Sequence, residues 1–232
     1  MTDVQTEIPL SGGRVTSGVV RIGGTVRKPV TENSEFVRRL LEHLASNGID
    51  FSPRFLGVDD RDRDVLTFIE GAVPDDLAFF DENTLRAAAI LIRKFHDASS
   101  DLVATDAATG IEVACHNDLS PCNFVFRGEL PVAIIDFDAA APGSRANDLG
   151  YAAWLWLDLG SPKIDVAVQH HRFATFLDAY GVTASELVLE SMLARQELLI
   201  EEARTNGDDS LSVWATNCRT WTRRNLETLR SA

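Results

Sequence analysis

The sequence is short of lysine, of cysteine and of long apolar runs, and each shortage narrows what the chain can be. Only three of its 22 basic residues are lysines (Lys28, Lys94 and Lys163), and 35 acidic residues leave a formal net charge of −13. An acidic excess of that size repels nucleic-acid backbones and anionic membrane surfaces, so neither is expected as a partner. Three cysteines, Cys115, Cys122 and Cys218, with no CxxC among them, suggest neither a zinc site nor a disulfide framework. No apolar stretch approaches the roughly 18 residues of a membrane span. The opening MTDVQTEIPL lacks the basic-then-apolar pattern of a signal peptide. Low-complexity tracts are missing too. The chain reads as soluble and cytoplasmic.

What is present suits a folded chain. Its 232 residues are 45% apolar, enough for one domain or two small lobes with a sizeable core. The charge is uneven. Residues 1–70 hold 11 acidic and 9 basic residues, a net of −2, whereas residues 71–232 hold 24 and 13, a net of −11. An acidic second part suits a cationic partner.

The first 30 residues alternate β-branched positions with glycines. Val19–Ile22 and Thr25–Lys28 flank Gly23-Gly24, which predicts a hairpin, with Pro29 ending its second strand. Residues 34–46 have the apolar spacing of a helix, with Ser34 as its cap. Short strands are expected at Phe55–Val58 and Val65–Phe68, and a hinge at Glu70-Gly71. A helix over 81–97 and a strand over Ile111–Cys115 follow. Phe124–Phe126 and Val132–Ile135 read as a hairpin around Arg127-Gly128, and the rest is helical from about Asp148. One of those last helices carries Leu211, Trp214, Cys218, Trp221 and Leu229. The expected order is a β-rich lobe over 1–70 and a mainly helical lobe over 71–232, an α+β chain.

The densest polar cluster is His116-Asn117-Asp118-Leu119-Ser120-Pro121-Cys122-Asn123, and Asp136-Phe137-Asp138 begins thirteen residues after Asn123. The hairpin between them should hold Asp118, Asn123 and Asp136 at one mouth. Two carboxylates and a carboxamide there are hard oxygen ligands of the kind that hold Mg²⁺ against phosphates, and a remaining carboxylate can accept a hydroxyl proton. The pattern is H-x-D-x-x-x-x-N followed by D-F-x.

On the strings CHNDLSPCNFVF and AIIDFDAAAPGSRANDLGYAAW the chain resembles the aminoglycoside phosphotransferase/choline kinase-like family. The runs RIGGTVRKP and PRFLGVDDRDRDVLTFIEG look like a compact bacterial branch of it. The resemblance implies a bilobal, protein-kinase-like fold and transfer of the γ-phosphoryl group of ATP or GTP to a small-molecule hydroxyl. It makes Asp118 the catalytic aspartate and Asn123 and Asp136 the Mg²⁺ ligands, with Asp138 assisting the metal or positioning the loop. His116 and Asp148 would brace the loop. Asn117 stands where many relatives have Gly or Arg.

On the phosphate side a cation is needed, and Lys28 ends the hairpin's second strand with Val26 on its face; a one-residue register shift would offer Arg27 instead. Its acidic partner is expected on the helix over 34–46, as Glu35, with Glu42 as the alternative. Ser11, Gly12 and Gly13 could let backbone N–H groups approach phosphate. Thr67–Glu70, with Phe68 and Glu70, would meet the base. On the acceptor side, Asp75, Asp76, Glu197, Glu201, Glu202, Asp208 and Asp209, together with Trp154 and Trp156, are candidates to receive a cationic acceptor such as an amino sugar. Two other readings compete: a kinase for another metabolite hydroxyl (choline- or homoserine-like), and a catalytically silent binding module of the same fold.

Overall fold

A computed structural model describes residues 6–10, 18–182 and 185–231. Ser11, Gly12 and Gly13 therefore lie outside the described residues. The chain runs β1 (Ile8–Pro9), β2 (Val20–Ile22), β3 (Thr25–Pro29), α1 (Ser34–Ser46), β4 (Phe55–Val58), β5 (Arg63–Thr67) and α2 (Glu82–Ser99). It continues with β6 (Val113–Cys115), β7 (Phe124–Arg127), β8 (Leu130–Ile134), β9 (Ala141–Gly143) and α3 (Arg145–Trp156). The helices α4 (Val166–Tyr180), α5 (Glu186–Thr205), α6 (Asp209–Arg224) and α7 (Leu226–Arg230) complete it. A small sheet-rich N-terminal part and a helical C-terminal part make it an α+β protein.

The first hairpin turns at Gly23-Gly24, where Gly23 takes a left-handed φ of 59° that a side chain would disfavour. β2 and β3 pair Val20 with Arg27 and Ile22 with Thr25. They join an antiparallel sheet of order β1-β2-β3-β5-β4. The strand expected at Val65–Phe68 starts two residues earlier and ends at Thr67, because β5 pairs along the full length of β3, down to Arg63 opposite Pro29.

α1 covers the expected range, but Asn33 rather than Ser34 precedes its first turn. The Ser34 hydroxyl instead accepts from the Thr31 N–H at 2.8 Å. Leu40, Leu41 and Leu44 are buried on its inner face. α2 opens on Asp81, whose carboxylate accepts the Thr84 N–H at 2.7 Å.

Beyond the sheet the chain runs against the second hairpin. Ala72 and Phe126 exchange backbone hydrogen bonds of 2.9 and 2.7 Å. Gly71 lies so close that a Cβ would run into the Phe126 carbonyl oxygen and Val125. The β7–β8 turn is Gly128-Glu129, one residue later than expected, because β8 begins at Leu130 and a bulge at Val125/Phe126 shifts the register.

The helical part packs around α2, α3 and α5. From Leu149 onward α3 is mostly apolar, with Leu149, Ala152, Ala153, Trp154, Leu155 and Trp156 buried. Its Gly150 meets α5 directly: a Cβ there would stand 2.7 Å from the Val188 carbonyl oxygen and 2.8 Å from the Met192 nitrogen. The single terminal helix expected through Leu229 is broken at Asn225, which closes α6 through its N–H and side-chain amide on the Trp221 carbonyl and precedes α7. Among the described residues no helix is long and apolar enough to cross a membrane.

Candidate active site

β6 delivers His116 and Asp118 to the site, and the β7–β8 hairpin returns the chain to it at Asp136. The loop after β6 is held from below by one buried carboxylate. Asp148 Oδ2 accepts the His116 N–H at 2.7 Å and Oδ1 accepts the Asn117 N–H at 2.8 Å. The His96 ring, buried and itself bonded to the Tyr180 hydroxyl at 2.7 Å, adds a third contact at 3.0 Å. Burial alone would raise the Asp148 carboxyl; the His96 hydrogen bond, the neighbouring His96 and His116 rings and the His116 N–H outweigh it and hold it below its ordinary value. Asn117 bends the loop with a left-handed φ of 62°, and its amide donates to the Ala139 carbonyl at 2.8 Å. His116 donates through Nε2 to the Ile135 carbonyl at 2.9 Å, and its Nδ1 accepts the Asp118 N–H at 3.3 Å. That one ring ties the start of the first cluster to the start of the second.

Asp118 is gripped at both oxygens. The Asn123 amide donates to Oδ2 and to the Asp118 carbonyl, each at 2.8 Å. The Tyr151 hydroxyl, from α3, donates to Oδ1 at 2.9 Å. Burial first, then the Asp118 charge, pushes the Tyr151 phenol well above its usual range, so it stays a donor. Because the Asn123 NH₂ group faces Asp118, its carbonyl oxygen is turned the other way.

Across the cleft, Lys28 contacts Oδ1 of Asp136 and, at 2.7 Å, Oδ1 of Asp138. Asp136 itself has a left-handed φ of 66°. The Lys28 side chain is 13% exposed, which puts these contacts inside the cleft rather than on a screened surface. The register separates the two cations of β3. Lys28 faces the aspartates, whereas Arg27 lies on the opposite face, 3.5 Å from Asp59.

The acid expected from α1 is absent from this group. Glu35 and Glu42 are exposed, and among the described residues no ion pair joins either to Lys28. α1 presents Arg38 to the sheet instead, 2.7 Å from Asp64, the residue opposite Lys28 in the β3–β5 register. Lys28 takes both its acidic partners from the second cluster. Phe68 and Glu70 lie at the end of the sheet but are engaged by protein: the Arg21 guanidinium stacks on the Phe68 ring at 3.7 Å and bonds Glu70 at 2.5 Å.

Three further contacts escaped the sequence reading. Tyr151 and Arg195 join Asp118 and Asn117 from helices 33 and 78 residues away in the chain. Asn33 reaches the second cluster, its amide donating to the Asp138 and Ala140 carbonyls at 2.8 and 2.9 Å. Of the expected acceptor liners, Trp154 and Trp156 are fully buried, on faces of α3 that neighbouring side chains and strands cover. Trp154 stacks on Trp214 and Trp156 donates to the Leu119 carbonyl at 3.1 Å. Glu197 pairs with Arg219.

A sheet lysine facing two aspartates, beside a loop aspartate braced by a buried one, brings the first hairpin and both polar clusters together at one cleft. The model of the phosphotransferase enzyme family matches residues 98–184, which contain both clusters. The chain is 29% identical to the trifolitoxin immunity protein of Rhizobium leguminosarum bv. trifolii over 258 residues, covering 97% of this chain and 98% of that one. Among solved structures it resembles an aminoglycoside 2'-phosphotransferase-IIIa in complex with GDP, with a TM-score of 0.62 at 13% identity over 97% of this chain and 94% of that one. It also resembles the choline kinase LicA from Streptococcus pneumoniae, with a TM-score of 0.59 at 14% identity over 98% and 94%. The resemblance read from the two motifs therefore holds, and so does the fold it implied.

Proposed function

We propose that the protein transfers the γ-phosphoryl group of a nucleoside triphosphate to the hydroxyl of a small molecule. The observation that carries this reading is the meeting of Lys28, Asp136 and Asp138 across the cleft from an Asp118 held at both oxygens. Asp118 orients the acceptor hydroxyl and takes its proton. Lys28 contacts the phosphates, and residues 1–70 form the nucleotide lobe, with the hinge at Glu70-Gly71. The Asn123 carbonyl oxygen and the Asp136 and Asp138 carboxylates are hard oxygen donors that suit Mg²⁺, and a cation already lies between the two aspartates in the form of the Lys28 ammonium. When bound there, Mg²⁺ would neutralise charge on the phosphates. Asp148, His96 and His116 keep the Asp118 loop in place without touching the reactants.

The nucleotide is ATP or GTP, and the structural neighbour bound to GDP keeps both in play. Acceptors of the amino-sugar, choline or homoserine kind all present the required hydroxyl. Similarity along nearly the whole chain to an immunity protein favours a protective role, in which the acceptor is a toxic compound.

Calorimetry with Mg²⁺ and ADP or GDP, followed by coupled nucleotide-consumption assays over an acceptor panel, tests the reading. Nucleotide binding that requires Mg²⁺, and turnover abolished by Asp118→Asn, are the expected results. A folded protein that binds no Mg²⁺–nucleotide overturns it, and ligand binding indifferent to Asp118→Asn without any phosphorylated product favours the silent module.

A further inference from the structure

Beside the loop that carries Asp118 a cavity of about 170 Å³ opens between α3 and α5, with Asn117, Asn147 and Tyr151 on one side and Ala194, Arg195 and Leu198 on the other. Two charged groups border it. Asp148 is saturated, since its oxygens already accept from two backbone N–H groups and the His96 ring. Arg195 is different. Its guanidinium stacks on the Tyr151 ring at 4.8 Å and reaches the Asn117 carbonyl at 3.5 Å, and among the described residues no carboxylate pairs with it.

Arg127 and Arg172 likewise meet no carboxylate among the described residues, but neither lines this cavity. Residues 71–232 carry a net charge of −11, and the arginines Arg145, Arg219 and Arg230 each meet a carboxylate. A half-buried guanidinium without an anion has lost water without gaining a charged partner, and a charge-assisted, bidentate contact restores what was lost. The planar fork of arginine suits a carboxylate or a phosphate group better than any neutral acceptor. The same Tyr151 that carries Arg195 on its ring donates its hydroxyl to Asp118. An anion at Arg195 is thus one phenol ring away from the carboxylate that would take the proton.

We infer that the acceptor carries an anionic group, a carboxylate or a phosphate, that Arg195 binds while the acceptor hydroxyl reaches Asp118. This rests on the phosphotransferase reading above. In the transfer, a bond forms between the hydroxyl oxygen and the γ-phosphorus as the bond from that phosphorus to the β–γ bridging oxygen breaks. The hydroxyl proton passes to Asp118, and a phosphate ester and a nucleoside diphosphate leave. Arg195 sets specificity and takes no part in the proton transfer.

Matched pairs of acceptors provide the test: L-homoserine against L-homoserine amide and D-glycerate against D-glyceramide for a carboxylate, and glycerol 3-phosphate against glycerol for a phosphate. Kanamycin and choline serve as cationic probes, and all are assayed with Mg²⁺–ATP and Mg²⁺–GTP. At least one anionic member should exceed its neutral counterpart by tenfold or more in kcat/KM, and which pair responds identifies the group. Arg195→Gln should raise KM for that acceptor at least tenfold and erase the preference, while Arg195→Lys recovers part of it. Calorimetry with Mg²⁺–ADP on each variant shows whether the nucleotide site is intact. Equal use of both members of every pair, preference for kanamycin or choline with a KM unmoved by Arg195→Gln, or no turnover of any anion by a protein that binds Mg²⁺–ADP overturns the inference. Failure to bind Mg²⁺–nucleotide at all overturns the phosphotransferase reading instead.

Discussion

Tyr151 and Asp118 are joined by a hydrogen bond of 2.9 Å from the phenol to Oδ1. With the Asn123 amide on Oδ2, the carboxylate plane has one orientation and not several. Tyr151→Phe removes one of the two restraints and keeps the ring under Arg195. A hydrogen bond to a charged group contributes about 1.5–3 kcal/mol. Turnover should therefore fall roughly ten- to hundredfold, with nucleotide affinity unchanged; steady-state kinetics beside calorimetry separates the two.

Lys28 sits between Asp136 and Asp138, so replacing it alters two things. Lys28→Met removes the cation expected to meet phosphate and leaves two carboxylates facing each other without it. The melting temperature should fall by a few degrees in the absence of metal, and millimolar Mg²⁺ should raise it more in Lys28→Met than in the wild type. Thermal melts with and without Mg²⁺ read this directly.

Asp148→Asn tests the brace beneath the loop. One amide oxygen cannot replace two carboxylate oxygens that accept from His116, Asn117 and His96. A loss of about 3–5 kcal/mol is expected, since buried donors lose an acceptor and each hydrogen bond to a charged group contributes about 1.5–3 kcal/mol. The pH dependence has a definite sign. The folded carboxyl lies below the ordinary aspartate value of 3.8, so its stabilisation is complete above about pH 4. It is lost as the pH falls through the lower, folded value. The stability gap between wild type and Asp148→Asn should narrow in that acid range, as denaturant titrations at pH 3–7 would record.

Asn33→Ala cuts the two hydrogen bonds from α1 to the Asp138 and Ala140 carbonyls. About 1–3 kcal/mol of stability should go, since the two carbonyls lose their donor. KM for the nucleotide should rise, because α1 and the second cluster then move independently. Asn33→Asp is expected to be worse than Asn33→Ala, since it offers those carbonyls no donor and adds a charge.

What could be read from the sequence was local. Gly23-Gly24 marked its hairpin because only a positive φ closes so tight a turn, and the leucine spacing of 40, 41 and 44 placed α1. The two clusters were legible since each holds its chemistry within a few residues. Contacts between distant residues were not. Nothing in the sequence sets Tyr151 apart from any other aromatic on an apolar stretch, or Asn33 from any other polar residue before a helix. Trp154 and Trp156 were expected at the acceptor, but they lie on the covered faces of α3, which a single helix's pattern does not reveal. Glu35 failed as the Lys28 partner for a related reason: the sheet carries its own acid, Asp64, and Arg38 on α1 answers it.

Gly150 has one more consequence. Because it has no side chain, α5 rests against the backbone of α3, and Arg195, two turns along from Val188, is brought over Tyr151. The spacing of two helices is thereby a gauge for the room left beside Asp118. Adding a methyl group at position 150 would wedge the gauge open far from any reacting atom, and the size of molecule admitted would change before the chemistry did.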